Sequence, residues 1–360
     1  MSRLTLVVPG LIWPAPQTPR PARDIPLAAL SRLLGRGRWK SGPPVSCESL
    51  LARLFGVENV EPSMAVLRRL GEDGDREGGN AACAEAYWLC ADPVHLSLAR
   101  EYLLLSDFAD DEIDAAEARA LCAALNDDPA APGHFQAVAS TRWYVRLARP
   151  PEARFSSLHE AAGRPLQHFL PVGEEGEARR WRRLLNDIQV TLHHHPLNQA
   201  RAARGRRTVN SLWFWGGGLA ASAPAAHAPC PVVQARDPLA RGLARAAGIA
   251  PDMPEAEAAL RAETLAVLDT LALPARRLDL AAWREALAAM EHDWFAPLAR
   301  AVDAGHLRAL TVRVPGERAD FTFTLDGGLR WCFWRRPVIL DDLHARLAAS
   351  RAASPLPPSR

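Results

Sequence analysis

The side chains best suited to chemistry lie in the run HHHPLNQARAARGRRTVN, from His193 to Asn210. Pro196 forces His195 out of helical geometry and itself suits the first turn of a new helix, so His195, Asn198 and Arg201 gather at a helix start, with Asn210 just beyond. A helix start beside an arginine suits a carboxylate or a phosphate. The same four side chains would serve equally well to hydrogen-bond the turn between two helices and the strand after it, because buried polar groups need partners in any fold. Asp92, His95 and Arg142 stand near the ends of predicted strands. They complete the set of candidate ligand-binding residues, with surface or core roles equally open to them.

Other chemistry is poorly supported. Consecutive histidines such as His193, His194 and His195 point in different directions on a helix, and no Cys/His/Asp cluster supplies further ligands, so neither a metal nor another cofactor is expected. Gly216-Gly217-Gly218 follows a strand but lacks the GxGxxG or GxxxxGK spacing and runs into an Ala/Pro stretch, which predicts a turn. Trp213, Trp215, Trp331 and Trp334 read as packing residues, since no basic groove accompanies them.

These candidates must be positioned by a mixed α/β framework. Leu4–Val8 is an apolar run ending in Pro9-Gly10, as expected of a buried strand that delivers the chain to a loop. Helical signals follow at Pro26–Gly35, about Glu48–Phe55 and Pro62–Leu70, before the connection GEDGDREGGN. Between Ala86 and Ala148 the order is strand, strand, helix, strand, strand, an α+β insertion whose helix starts at Asp114 with Glu117 three residues on, an Asp variant of the capping box. Trp181, Leu184, Leu185, Ile188 and Leu192 mark one stripe of a helix over Glu177–His194, with the arginines opposite. The last third alternates VVQA, a helix at Pro238–Ala247, TLAVLDTL, a long helix about Leu280–Val302 and LRALTV, which suggests a parallel sheet. Short strands at Asp320–Leu325 and Arg330–Trp334 and a helix from Asp341 close the pattern.

The resulting division is 1–80 as the first part of an α/β core, 81–175 as the insertion, 176–349 as the second part of the core, and 350–360 as a disordered tail rich in proline. A formal charge of +2 gives no field that would draw nucleic acid or membrane. Lys40 is the only lysine, so the many arginines reflect coding bias and solvated faces. Cys47, Cys83, Cys90, Cys122, Cys230 and Cys332 include no CxxC pair and read as reduced thiols. With no apolar run long enough for a signal peptide or membrane span, the expected location is the cytoplasm.

Taken in order, several segments resemble the archaeal-type cofactor-independent phosphoglycerate mutases of the alkaline phosphatase superfamily. His193–Gly218 is similar to that family's HPVN…R…G…N followed by a strand and glycines, and PLAALSRLLGRG, DEIDAAEARALCAALN and DPLARGLARAAGI match further segments. YWLCADPVHL, RWYVRL, LLNDIQVTLHHHPLN and NSLWFWGGG resemble a proteobacterial group labelled either phosphoglycerate mutase or RpfE-type regulatory protein. The resemblance implies an alkaline-phosphatase-like, mostly parallel central sheet with helices on both faces and an inserted α+β subdomain.

It also implies a two-metal site, and there this chain departs from the pattern. The mutase reaction needs an aspartate after the first strand, a serine nucleophile and later Asp/His pairs, because two divalent metals activate the serine and hold the phosphate. Here Pro9-Gly10 replaces an Asp-Gly, Leu271–Leu287 lacks the histidine of an Asp-x-x-x-His segment, and Arg313-Val314-Pro315-Gly316 replaces the closing Asp-His. Ser46 or Cys47 stands as a nucleophile remnant without activating metals. Relatives usually carry arginine where this chain has Cys90, which would weaken any ligand bound there. The implied reading is a non-catalytic regulatory or ligand-binding protein, whose partner is a small anionic metabolite or another protein. The alternative is a phosphoglycerate mutase, or a related phosphoester enzyme, with a reshaped site.

Overall fold

The computed structural model describes residues 2–15, 17–58, 63–72, 86–99, 101–219, 224–316, 318–326 and 335–343. The expected strand at Arg330–Trp334, the tail 350–360, most of GEDGDREGGN, and Cys83, Cys332, Trp331 and Trp334 lie outside these residues, as does the expected helix beyond Leu343. The chain forms two compact units, Met1–Glu58 with Ala226–Arg360, and Asn59–Ala225.

The first unit is built on a six-stranded sheet. Its strands are β1 (Ser2–Val7), β2 (Arg38–Gly42), β10 (Val232–Ala235), β11 (Thr264–Val267), β12 (Leu307–Val314) and β13 (Asp320–Leu325), in the order β10-β11-β1-β12-β13-β2. The first four run parallel and the last two pairings are antiparallel, so the central sheet is mixed. All four residues of β11 are buried, as the apolar run TLAV requires of a strand covered on both sides. Helices Ala28–Arg36, Cys47–Leu54, Pro238–Ala246 and Ala296–Asp303 alternate with the strands. Leu4, Leu6, Trp283, Leu298, Leu310 and Phe323 belong to one continuous core.

The helix expected over Leu280–Val302 is interrupted. It runs Leu280–Met290, passes through a π-helical turn at Glu291–Phe295 and resumes as Ala296–Asp303. Pro297 cannot donate to the preceding turn, which accounts for a widened hydrogen-bond ladder just before it. The turn also supplies Glu291, whose carboxylate accepts from the Ala29 and Leu30 amides at 2.6 and 3.0 Å and caps helix Ala28–Arg36.

The second unit holds a five-stranded antiparallel sheet of β3 (Tyr87–Ala99), β4 (Tyr102–Asp107), β5 (Gly133–Ala137), β6 (Trp143–Leu147) and β9 (Ser211–Leu219). Short strands β7 (Ala153–Arg154) and β8 (Val172–Gly173) pair separately. β3, at 13 residues, is nearly twice the length of the expected strand AYWLCAD. It continues through Pro93 because that residue falls between the stretch paired to β6 and the stretch paired to β4, where no ladder donor is required on that side. Helix Ala115–Asn126 starts with the expected Asp114–Glu117 capping box. Helix Glu175–His194 buries Trp181, Leu185, Ile188 and Leu192 against the same core as Leu89, Phe135 and Phe214.

Two expectations need correction here. Glu175–Leu219, assigned above largely to the α/β core, packs within this unit, because β9 pairs with β3 along seven registered positions from Tyr87 to Val94. Gly216-Gly217-Gly218 are not a turn but the end of β9. Gly216 has φ +61, and a Cβ there would lie 2.7 Å from Met64, while a Cβ on Gly217 would lie 2.2 Å from the Tyr87 hydroxyl. The run is glycine because neighbours press on a strand.

Candidate functional site

In parallel α/β sheets ligands sit at the carboxyl ends of the strands, so in the first unit the ends of β1, β11 and β12 are the place to look. After β1 the chain reaches Val8, fully buried and bonded from its amide to the Arg313 carbonyl at 2.9 Å. Gly10 follows at φ +81, its carbonyl accepting from the Trp283 indole at 2.7 Å. A Cβ on Gly10 would stand 2.5 Å from the Leu271 carbonyl oxygen. Trp13 packs edge-on against Trp283 with centroids 5.4 Å apart, so this strand end closes on aromatic and backbone atoms.

At the end of β12, Arg313 donates to Asp320 of β13 at 2.8 Å. The Arg313 Nε and Asp320 Oδ1 atoms are buried without a hydrogen-bond partner, so the pair is one-armed. Half-buried Cys47 opens helix Cys47–Leu54, with Ser46 as its N-cap, accepting from the Ser49 amide at 3.1 Å. Desolvation, then the negative charges of Glu48, Asp237 and Asp269, hold the Cys47 thiol well above its ordinary range. A thiol needs cationic neighbours to become a nucleophile, and here it has anionic ones. Among the described residues no group of three His, Cys, Asp or Glu side chains could hold a metal ion. The described residues at this edge therefore do not fit the two-metal centre that the resemblance implies.

The second unit gathers the sequence candidates into two separate networks. The first centres on Asp92, buried in β3. It accepts two bonds from Arg68 at 2.7 and 3.0 Å, one from the Trp143 amide at 3.2 Å and one from the Trp215 indole at 2.9 Å. Both partners are buried, and the Arg68 guanidinium lies 5.4 Å from the Tyr144 and Trp215 ring centroids. Burial disfavours its charge, but Asp92, Tyr144 and Cys90 together outweigh that and raise the Arg68 pKa well above its ordinary value. Burial also raises the Tyr144 hydroxyl well above its usual range and pushes the Cys90 thiol up to about 12.

Arg142 lies toward the rim of this network. Its Nε donates to Glu72 at 2.8 Å, Glu72 also accepts from the Tyr144 hydroxyl at 3.2 Å, and the other arm reaches Asp110 at 3.2 Å. Arg142 keeps 26% of its side chain exposed and Asp110 keeps 68%. Burial works against the Asp110 carboxylate, but the Thr141 hydroxyl and Arg142 outweigh it and lower its pKa. Arg69 stacks over Trp88 at 3.5 Å and donates to Gln136 at 2.9 Å.

The second network holds the segment Arg207–Asn210. Asn198 bonds the Val209 backbone in both directions, at 2.7 and 3.0 Å, and the Leu192 carbonyl at 2.8 Å. Arg201 spends its three donor nitrogens on the Arg207 carbonyl, the Glu112 carbonyl and Glu117, at 2.8, 2.8 and 2.6 Å. Asn210 makes a two-way bridge to Leu96 of β3, and His95 meets the Thr208 carbonyl at 2.8 Å. His195 caps the following helix, its ring accepting from the Leu197 amide at 3.2 Å. Four of the seven sequence candidates, His95, Asn198, Arg201 and Asn210, therefore converge on one segment, His195 caps the helix beside it, and Asp92 and Arg142 join the other network. Sequence reasoning missed Arg68, Arg69 and Glu72, on and just after a helix with no motif; Arg-Arg beside an apolar stripe was the available signal.

Residues 94–198, all within the second unit, match the family described as 2,3-bisphosphoglycerate-independent phosphoglycerate mutase. Over that segment the chain is phosphoglycerate-mutase-like. It is 32% identical over 115 residues to 2,3-bisphosphoglycerate-independent phosphoglycerate mutase 2 of Methanothermobacter thermautotrophicus, covering 31% of this chain and 28% of the relative. It is 28% identical over 170 residues to a probable 2,3-bisphosphoglycerate-independent phosphoglycerate mutase of Geobacter sulfurreducens, covering 43% of this chain and 40% of the relative. These likenesses thus span well under half of either relative's length. Among solved structures, the cofactor-independent phosphoglycerate mutase of Thermoplasma acidophilum aligns over 97% of this chain and 100% of its own, at 15% identity and a TM-score of 0.41. The PH0037 protein of Pyrococcus horikoshii aligns over 99% of both chains, at 14% identity and a TM-score of 0.48. No helix among the described residues is long and apolar enough to cross a membrane.

Proposed function

We propose that this chain is a non-catalytic regulatory or ligand-binding protein on a phosphoglycerate-mutase-like, alkaline-phosphatase-type scaffold, working in the cytoplasm. The observation that carries the reading is the closed end of β1, where the Trp283 indole takes the Gly10 carbonyl and Leu271 leaves no room for a side chain on Gly10. Phosphoryl transfer depends almost wholly on positioned cations and electrostatic stabilisation; among the described residues no metal-ligating group of three is found, and burial with anionic neighbours keeps the Cys47 thiol protonated. The family match supports the same division, since it falls on the second unit and leaves the first outside it.

In this reading the second unit keeps the recognition role, toward a small anionic metabolite or a protein partner. Asn198, Arg201, Asn210, His95 and His195 build the platform, Asp92 holds Arg68 in place, and Arg142 meets the ligand in competition with Asp110. The names of the relatives favour a second reading, a phosphoglycerate mutase with a reshaped site.

One assay separates the two. Purified protein is incubated with 2-phosphoglycerate and with 3-phosphoglycerate, each with manganese or magnesium. No interconversion above the protein-free control is expected, and metal-dependent turnover would overturn the non-catalytic reading.

A further inference from the structure

A concavity of about 640 Å³ opens in the first unit at the amino ends of the parallel strands, the opposite end from Gly10. Its volume is within the range of small-ligand sites. Among the described residues, Arg3, Arg261 and Arg308 line it together with His306, against one carboxylate, that of Glu263. Among the described residues these three guanidiniums have no side-chain hydrogen bond or ion pair.

The backbone is irregular at the same place. Ser2 of β1 is registered with Leu307 of β12, but the next residue, Arg3, is registered with Ala309. Arg308 is therefore the extra residue of a bulge between two parallel strands, an uncommon position for one. A bulge re-aims a side chain out of the strand's alternation, and here the side chain is one of the three cations. The two carbonyl-rich helix ends nearby would draw cations by themselves, yet they are already engaged: Ala304, Gly305 and His306 amides close the end of Ala296–Asp303 at 2.9, 3.1 and 2.9 Å, and the Arg261 amide closes Ala256–Ala259 at 3.1 Å.

We propose that this concavity binds a small molecule carrying a phosphate or pyrophosphate group, held by Arg3, Arg261 and Arg308. Glu263 limits how much negative charge the site accepts. The inference does not depend on the reading of the second unit or of the strand ends near Gly10.

Titration calorimetry with inorganic pyrophosphate tests it. Binding is expected, with Arg261→Ala and Arg308→Ala each weakening affinity by about tenfold. Arg179→Ala, an exposed arginine on a helix of the second unit, should leave affinity unchanged. Glu263→Gln should tighten binding. Melting curves of each variant, matching the parent, show that the fold is intact. Absence of pyrophosphate binding, or binding that Arg261→Ala and Arg308→Ala leave unaltered, would overturn the site.

Discussion

Arg68 and Asp92 form a two-armed ion pair, at 2.7 and 3.0 Å, inside the second unit, and Trp215 donates to one of the same carboxylate oxygens. A buried pair of this kind adds little stability over an apolar replacement, but breaking it strands a charge. Asp92→Ala leaves the Arg68 guanidinium and the Trp215 indole without their acceptor. The expected cost is about 3–5 kcal/mol, read as a shift of the urea midpoint. An Arg68→Met, Asp92→Leu double variant should recover much of the loss, and recovery absent altogether would mean the pair does more than neutralise itself.

Asn198 fixes the path of Val209 through bonds in both directions. Asn198→Ala frees the buried Val209 amide and carbonyl and leaves the Leu192 carbonyl with the His195 amide as donor, which should cost about 2–4 kcal/mol. Amide exchange at Val209 and along β9 should accelerate. Protection unchanged at Val209 would show that the segment is held by Arg201 and Asn210 alone.

The buried thiols make stability fall in alkali. Cys90 has an ordinary value of 9.0 and stands at about 12 in the fold. Below pH 9 both folded and unfolded states carry the neutral thiol, so its contribution is fully present. As pH rises from 9 toward 12 the unfolded chain ionises first, which draws the equilibrium to it. Burial raises Cys47, Cys122 and Tyr144 in the same direction. Urea midpoints should therefore drop steadily above pH 9, and Cys90→Ala should flatten that slope. Native protein at pH 8 should also alkylate slowly at Cys47, because a nucleophilic remnant would react fast.

Gly10 tests the closed strand end. Gly10→Ala places a methyl group 2.5 Å from a backbone oxygen at a φ of +81 and should lower stability by about 2 kcal/mol or more. Pro9→Asp, which supplies the carboxylate that the resemblance calls for, should produce no manganese-dependent rise in melting temperature. A clear rise would mean that the surrounding donors can still complete a metal site.

Much of the framework is legible in local pattern. LTLVV stopped by Pro9 specifies a buried strand, the stripe Trp181–Leu192 specifies a helix face, and Asp114 with Glu117 specifies a helix start, because each depends on contacts a few residues apart. The departures from the resembled pattern at Pro9-Gly10 and Arg313 are likewise read from residue identity alone, and they belong to the non-catalytic proposal. What the sequence does not contain is partnership across distance. Gly216–Gly218 reads as a turn until Met64 and Tyr87 press on it, and Arg201 reads as an anion donor until Glu112, Glu117 and Arg207 take its three nitrogens. Arg68 offers only an Arg-Arg pair beside an apolar stripe as a local signal, because its role is set by a carboxylate 24 positions away and an indole on another strand. Local periodicity is written into the chain by residue type, whereas the pairing of buried polar groups is decided by which elements the core brings together.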